Sequence, residues 1–464
     1  MALTPADLAN PIDWKLTKYQ TMLQDLQANI LKGHGRHRTR NIFLRVKTGQ
    51  SASARAGVHK VAPFITSAET QLRDATRFKA CGLAGGTVAL LFFTNAGYAE
   101  LGVATAKTPA DASFRAGMPG HRTLLTDPAT SAWDTPFKTA PHAMLLLADD
   151  CDAPLGVAED KMLALLGAGW TKTGSEIGEA IFDHFGQGIE HFGYMDGRSQ
   201  PLLLAQDVAA EPAPGVGGFK WNPAFGPGIA ALVKDPSGGT PDSYGSYFIF
   251  RKLQQDVATF KAQEAALSAA QTVAWNAATT PKASVPDSEL AGAQMVGRFE
   301  NGFPVINGGV SPAVPPATPD NNFNYAADAP GDKCPLHGHV RKVNPRDGSE
   351  RARIMPRRGI PFGGPEGTTT NPVGLLFMAY NNDIARQFEF TQATWANNAN
   401  FPTGGTGVDP LIGQSVAARP PYAHCPITWG DPAHRQFAGK FKQAVTMKGG
   451  DYFFAPSLSG LANL

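Results

Sequence analysis

The stretch "CPLHGHVRKVNPR", residues 334–346, places Cys334, His337 and His339 just ahead of a basic run. Imidazole and thiolate are the side chains most able to hold a metal. On a strand, residues i and i+2 share a face, so the two histidines could grip one ion. On a helix they stand roughly 200° apart and only one of them could face a given site. A bare zinc site needs a third and usually a fourth ligand. The chain offers no HExxH and no second HxH, and its other histidines (His34, His37, His59, His121, His142, His184, His191, His424, His434) are scattered. Arg341, Lys342, Arg346, Arg351, Arg353, Arg357 and Arg358 face only Asp347 and Glu350 between 341 and 358. Most such runs are solvated basic faces. A histidine beside arginines also suits haem, where imidazole binds iron and guanidinium pairs with propionate. Cys334 and Cys425 each precede proline, and a Cys–Pro thiolate is a further haem ligand type. These residues alone leave a metal clip, a haem ligand and a hydrogen-bonded loop all open.

Two distant stretches bear on the choice. In "EHFGYMDGRSQP" (190–201), Gly193, Asp196 and Gly197 predict a tight turn with one carboxylate at its tip. A surface Asx-turn reads the same way. In "RIMPRRGIPFG" (353–363), Arg357 and Arg358 precede Gly359, so one guanidinium could point inward while its neighbour faces water.

The elements that must position these residues can be read from periodicity. "DWKLTKYQTMLQDLQANILKG" (13–33) predicts a helix closed by Gly33. Strands are expected at 40–46, 85–93 and 142–150, from β-branched, aromatic and aliphatic runs. Thr66, three residues before Glu69, predicts a capping box and a helix after it. Residues 154–169 read as helix. The Pro/Gly-rich tract 209–239 marks a domain join. Beyond it, strands are expected at 246–253 and 373–380, and helices at 254–278 and 382–398. The pairs IFLRV…ALLFF and YFIFRK…GLLFMAY hint at a duplicated α+β unit. A second Pro-rich loop, 308–333, leads into Cys334.

Bulk properties set wider bounds. With 464 residues the chain can enclose a large cofactor in two or three domains. Its net charge of +2, from 41 basic and 39 acidic residues, gives no support to nucleic-acid or membrane-surface binding. Four widely spaced cysteines predict reduced thiols and not a disulfide frame. The start, "MALTPADLANPIDWKLTKYQ", has neither a basic n-region nor an apolar h-region, which predicts a cytoplasmic protein. Apolar runs such as "TVALLFF" are strand-sized and far short of a membrane span.

Taken together, the three stretches resemble the dye-decolourising peroxidase family. Its distal GxxDG motif is similar to Gly193–Gly197, its proximal-histidine segment to "CPLHGHVRK", and its distal-arginine segment to "RIMPRRGIPFG". "LQANILKGHGRHRTRNIFLRV" (26–46), "GLLFMAYNNDIARQFEFTQATWANN" (374–398), "GTGVDPLIGQ" (405–414) and "KGGDYFFAPSL" (448–458) extend the likeness over nearly the whole chain, and the long loops match the larger members. The resemblance implies an α+β fold of two ferredoxin-like domains with antiparallel sheets, akin to a dimeric α+β barrel. The expected division is 1–235, carrying the distal motif, and 236–464, holding most of a b-type haem. It further implies that His339 is the iron ligand, Asp409 its hydrogen-bond acceptor, and Arg341 the partner of a propionate. Asp196 would shuttle the peroxide proton and Arg357 stabilise the developing charge. Leu375 and Phe377 would shape the distal pocket, and Trp395 matches a surface electron relay, although a Trp anchoring a helix face reads equally well.

The activity so implied is reduction of hydrogen peroxide coupled to one-electron oxidation of bulky aromatic dyes or phenols, by a monomer or homodimer. A haem carrier or iron-release protein on the same fold is the alternative. Such a protein needs His339 and a propionate clamp but neither Asp196 nor Arg357. A non-haem enzyme built on His337 and His339 lacks further ligands.

Overall fold

In the computed structural model, residues 2–211, 218–277, 287–309, 311, 321–364, 372–414, 422, 424–432 and 440–464 are described. Parts of both Pro-rich tracts (212–217, 310 and 312–320) and His434 therefore lie outside the described residues.

Eight strands carry the architecture: β1 Arg38–Val46, β2 Val88–Phe93, β3 Ala143–Asp149, β4 Trp170–Glu179, β5 Tyr244–Gln255, β6 Ile360–Phe362, β7 Gly374–Asn381 and β8 Val445–Ala455. They form one sheet in the order β4-β1-β3-β2-β8-β5-β7-β6, with Val233–Lys234 added alongside β5. Every pairing is antiparallel. The first four strands run 4-1-3-2 and the second four repeat that order, so the sequence hint of a duplicated unit corresponds to two βαββαβ halves laid side by side. Helices Ser51–Val61, Ala68–Cys81 and Asp152–Leu166 make the crossovers of the first half. Val257–Ala277 and the π-helix Ala385–Ala396 make those of the second.

The sheet curls until its two ends meet. Gly178 on β4 lies against Ile360 on β6 so closely that a Cβ there would fall 2.4 Å from the Ile360 Cγ2. Inside the curl, rings from both halves interlock. Phe92 stacks on Phe248 at 4.4 Å between centroids, and Phe43 meets Phe250 edge-on at 5.2 Å. Each such pair contributes about 0.5–1.5 kcal/mol beyond the burial of its area. The fully buried burial pattern of β2 explains why its sequence is a continuous apolar run instead of an alternating one.

Two local expectations are corrected. The segment 13–33 is not one helix: a helix spans only Gln20–Asp25 and the chain turns extended at Leu26. The cause is the seam between the halves, where β2 and β8 pair only at Phe93 and Phe454. Gln27 fills that seam. Its Nε2 donates to the Leu91 and Pro456 carbonyls at 2.8 Å, and its Oε1 accepts from the Leu91 N–H at 2.9 Å. The second correction is a shift by one residue, since Ser67 and not Thr66 caps the helix Ala68–Cys81, accepting from the Thr70 N–H. Among the described residues no helix is long and apolar enough to cross a membrane.

A buried ion pair ties the segment after β2 to β5. Arg251 is 2% exposed, and its Nη1 and Nη2 donate to the two oxygens of Asp127 at 2.8 and 2.6 Å. Removing one partner strands the other charge without compensation. Asp127→Ala should therefore lower the unfolding free energy by about 3–5 kcal/mol, measured by urea denaturation. A loss below about 1 kcal/mol would contradict this reading.

Candidate active site

His339 is the first residue of a short helix, His339–Val343. Its Nδ1 lies 2.8 Å from the Asp409 Oδ2. Asp409 is fully buried, and its Oδ1 accepts from the Leu411 and Ile412 N–H groups at 2.9 and 3.0 Å. Burial alone would raise this carboxyl, but His339 and the two amides outweigh it and hold the group below the ordinary carboxylate range. A carboxylate acceptor at Nδ1 favours the tautomer with the proton there, which in the neutral ring leaves the Nε2 lone pair free.

His337 takes a different path. Its ring is fully buried against Tyr422 and Phe441, at 4.8 and 5.6 Å between centroids. Burial drives its pKa down to about 3, keeping it neutral. The two histidines thus do not converge, and among the described residues no group of three or more His, Cys, Asp or Glu could hold a metal ion. Cys334 is buried as a free thiol whose pKa burial pushes up to about 12, the wrong direction for a thiolate ligand.

His339 opens onto two adjoining cavities of about 140 and 200 Å³, which share His339, Asp196, Arg357, Leu253, Leu375 and Ile412 as walls. Val296 and Val340 line the smaller one; Phe377 and Phe388 line the larger. A third, more open cavity of about 570 Å³ shares Asp196 and Arg357 with both and extends past Lys32, His34 and Arg36. Asp196 and Arg357 therefore stand where the inner space joins the outer one.

The distal turn is held from behind. Glu190 accepts from the Phe192 and Tyr194 N–H groups at 2.9 and 3.0 Å, and the Asp196 N–H donates to the Gly188 carbonyl. Gly193 and Gly197 have φ of 96° and 75°, conformations that need glycine. The Arg357 N–H donates to Gln200, and its Nη2 to the Arg198 carbonyl at 2.5 Å, so the guanidinium is anchored on the same turn. Burial lowers the pKa of Arg357, and the Asp196 carboxylate opposes that shift. Arg358 points the other way, onto the Asn29 and Ile30 carbonyls. The Arg-Arg-Gly sequence suggested that this neighbour would face water; instead it is held on backbone carbonyls, and burial lowers its pKa to about 10.

Comparison with known proteins shows the family of the chain. Residues 229–401 match the family model described as "Dyp-type peroxidase, C-terminal". The "Multifunctional dye peroxidase DyP2" of an Amycolatopsis species is 39% identical over 99% of this chain and 100% of its own length. The chain belongs to the DyP-type peroxidase family. The crystal structure of an Anabaena DyP-type peroxidase superposes with a TM-score of 0.89 at 36% identity, covering 99% of each chain. A deferrochelatase of Yersinia pestis matches too, 36% identical over only 14% of this chain and 15% of its own. Full-length similarity thus lies with the peroxidases, which are haem enzymes with two ferredoxin-like domains, and this chain is a peroxidase.

The donor set of this DyP-type chain fits haem: one imidazole backed by a buried carboxylate, apolar walls, and a carboxylate and a guanidinium lining the same cavities. Two expectations fail. Arg341 does not reach the cavity. Its Nη1 donates to Asp328 and to the Cys334 carbonyl, and its Nη2 to the Asp328 carbonyl, because the loop ahead of the histidine folds back over it. Arg298 and Arg353 do line the cavities. Trp395 is only 3% exposed, stacked on Phe401 and met edge-on by Phe390, and so does not lie at the surface.

Two residues escaped the sequence reading. Nothing local marks Glu190, at the start of the distal stretch, as buried; burial raises it to about 7 against the hydrogen bonds it accepts. Lys342 was counted merely as part of a basic run. It is fully buried, and its ammonium donates to the carbonyls of Asn398, Phe401 and Gly407 at 2.9, 2.7 and 2.8 Å. Those carbonyls belong to the loop that delivers Asp409, so Lys342, three residues after His339, fastens the acceptor's loop to the donor's helix. The usable signal was its spacing, one helical turn from the histidine. Burial lowers its pKa to about 8. Lys342→Met leaves three carbonyls without their donor, at about 1–3 kcal/mol for each buried acceptor. It should lower the unfolding free energy by roughly 3 kcal/mol or more by chemical denaturation, and an unchanged midpoint would contradict the fastening role.

Proposed function

We propose that this peroxidase holds b-type haem through His339 Nε2 and reduces hydrogen peroxide at the Asp196–Arg357 end of the cavity, taking electrons one at a time from aromatic dyes or phenols. The observation that carries the reading is the His339–Asp409 pair at 2.8 Å with Asp196 and Arg357 on the wall of the same space. Haem bound there supplies cleavage of the peroxide O–O bond and storage of the resulting oxidising equivalents.

The chain's own residues have separate tasks. Asp409 keeps the proton on Nδ1 and raises the basicity of the ligating imidazole. Asp196 accepts a proton from one peroxide oxygen and returns it to the other, which leaves as water. Arg357 directs N–H donors at the negative charge that builds on the leaving oxygen. Leu375 and Phe377 keep the site narrow and dry, admitting peroxide through the vestibule. Of the cavity-lining cations, Arg353 would pair with a propionate, since the Arg298 guanidinium is already held by Gly302, Ser199 and Asn321. The carrier alternative leaves Asp196 and Arg357 without a task, and so ranks second. The expected division of labour puts the distal turn in residues 1–235 and the haem ligand in 236–464.

The test combines spectra with stopped-flow mixing. Wild-type protein and His337→Ala should carry a haem Soret band, and His339→Ala should lose it or its native coordination. Asp196→Asn should slow the spectral response to one equivalent of peroxide by about 10²–10⁴-fold, and Arg357→Leu by about 10²–10³-fold. A haem band lost with His337 and kept without His339, or full-speed peroxide reaction in both distal variants, would overturn the assignment.

A further inference from the structure

A second cluster of titratable groups lies behind the wall of the haem cavity, outside the machinery described above. Glu389, on the π-helix Ala385–Ala396, is 3% exposed. Its Oε1 accepts from the Tyr452 hydroxyl at 2.8 Å and lies 2.5 Å from the His121 Nδ1, while its Oε2 accepts from the Ser113 hydroxyl at 2.9 Å. Tyr452 is fully buried on β8, whereas the His121 side chain is 28% exposed. The cluster thus runs from a buried phenol through a buried carboxylate to an imidazole that reaches solvent.

Its inner end adjoins the cavity. Phe388, the neighbour of Glu389 in sequence, lines the cavity together with Phe377 and His339. The Phe388 ring meets the Tyr452 ring edge-on, 6.2 Å between centroids, and lies 6.0 Å from the Phe377 ring. One aromatic ring therefore separates Tyr452 from the space assigned to haem. A π-helix suits this placement, because its wider turn directs Phe388 to the cavity and Glu389 to Tyr452 while both stay buried; such helices concentrate at functional sites.

From this arrangement we infer that Tyr452 is a redox-active residue, a proton-coupled electron relay with Glu389 as its proton acceptor. The inference rests on the haem reading above. In the relay step Tyr452 gives one electron, through the Phe388 contact, to the oxidising equivalent that peroxide leaves in the cavity. Its phenolic proton passes to the Glu389 Oε1, and a neutral tyrosyl radical results. An aromatic donor outside the protein then returns one electron, and the proton returns from Glu389 to the phenol oxygen. Electrons and protons balance over the two steps, with hydrogen peroxide as the oxidant. Without an acceptor, a buried phenol would have to carry a positive charge in apolar surroundings, which is costly. Glu389 removes that obstacle, and His121 links the carboxylate to solvent. Burial, with the Glu389 charge beside it, raises the Tyr452 pKa well above its ordinary value, so the proton is lost together with the electron and not before it. The relay also spares a bulky dye from entering the cavity, since the Tyr452 ring lies 6.5 Å from that of His121, whose side chain is 28% exposed.

The holoenzyme is mixed with one equivalent of hydrogen peroxide, frozen within milliseconds and examined by electron paramagnetic resonance. A protein radical is expected whose hyperfine structure narrows when tyrosine is ring-deuterated. Its intensity should fall at least about fivefold in Tyr452→Phe and stay unchanged in Tyr380→Phe, another buried tyrosine. Glu389→Gln, which keeps Tyr452 and the side-chain shape, should slow radical formation at least about tenfold. An undiminished tyrosyl signal in Tyr452→Phe, or unchanged kinetics in Glu389→Gln should Tyr452→Phe not fold, overturns the relay while leaving the haem reading intact. Absence of a Soret band in the wild type overturns both.

Discussion

The hydrogen bond between His339 and Asp409 is the constraint on which the rest of the site depends. A carboxylate removed from water is expensive unless it is paired and hydrogen-bonded. Asp409 meets that demand with one imidazole and two amides. The demand then propagates: the loop carrying Asp409 must be fixed, and Lys342 fixes it through three carbonyls. A single helical turn thus holds both His339 and the lysine that clamps the loop of its acceptor. His337, displaced into an aromatic pocket behind this turn, completes the packing without contributing a donor to the cavity.

The fold explains why the opposite wall comes from so far away. Two halves with the same strand order share one sheet, and the sheet curls until β4 approaches β6. The turn that follows β4 is thereby carried to the segment that precedes β6, bringing Asp196 beside Arg357 across 161 residues of sequence. The Arg357 guanidinium is anchored on the carbonyl of Arg198, within that turn. Glu190 in turn shapes the loop by accepting its amides. The two groups proposed for proton transfer and charge stabilisation are therefore held by one hydrogen-bonded loop, as pre-organised catalysis requires.

Much of this was legible in the sequence, for reasons that can be named. Strands such as β2 and β3 are buried throughout, and a continuous apolar run bounded by turn residues reads clearly. The distal Asp-Gly turn is encoded in two glycines at positive φ. Failures arose where a long-range partner overrode a local pattern. The helix expected through residue 33 stops because Gln27 is needed at the seam between the halves. Arg341 stands next to the ligand in sequence but is claimed by Asp328, and no spacing rule reveals that return of the chain. Trp395 sits on a helix whose exposure depends on a loop that covers it with Phe401. Asp409, 70 residues from His339, was indicated only by family resemblance, since nothing local marks an aspartate as buried.

In the proposed function the Asp409 carboxylate is the electronic partner of a ligating imidazole, and one spectrum addresses that directly. The iron–histidine stretching frequency of the ferrous haem protein can be compared by resonance Raman in the wild type and Asp409→Asn. A neutral amide in place of the carboxylate weakens the pull on the Nδ1 proton, so the account predicts a clear downshift of that band. A band at the same frequency in both proteins would contradict it.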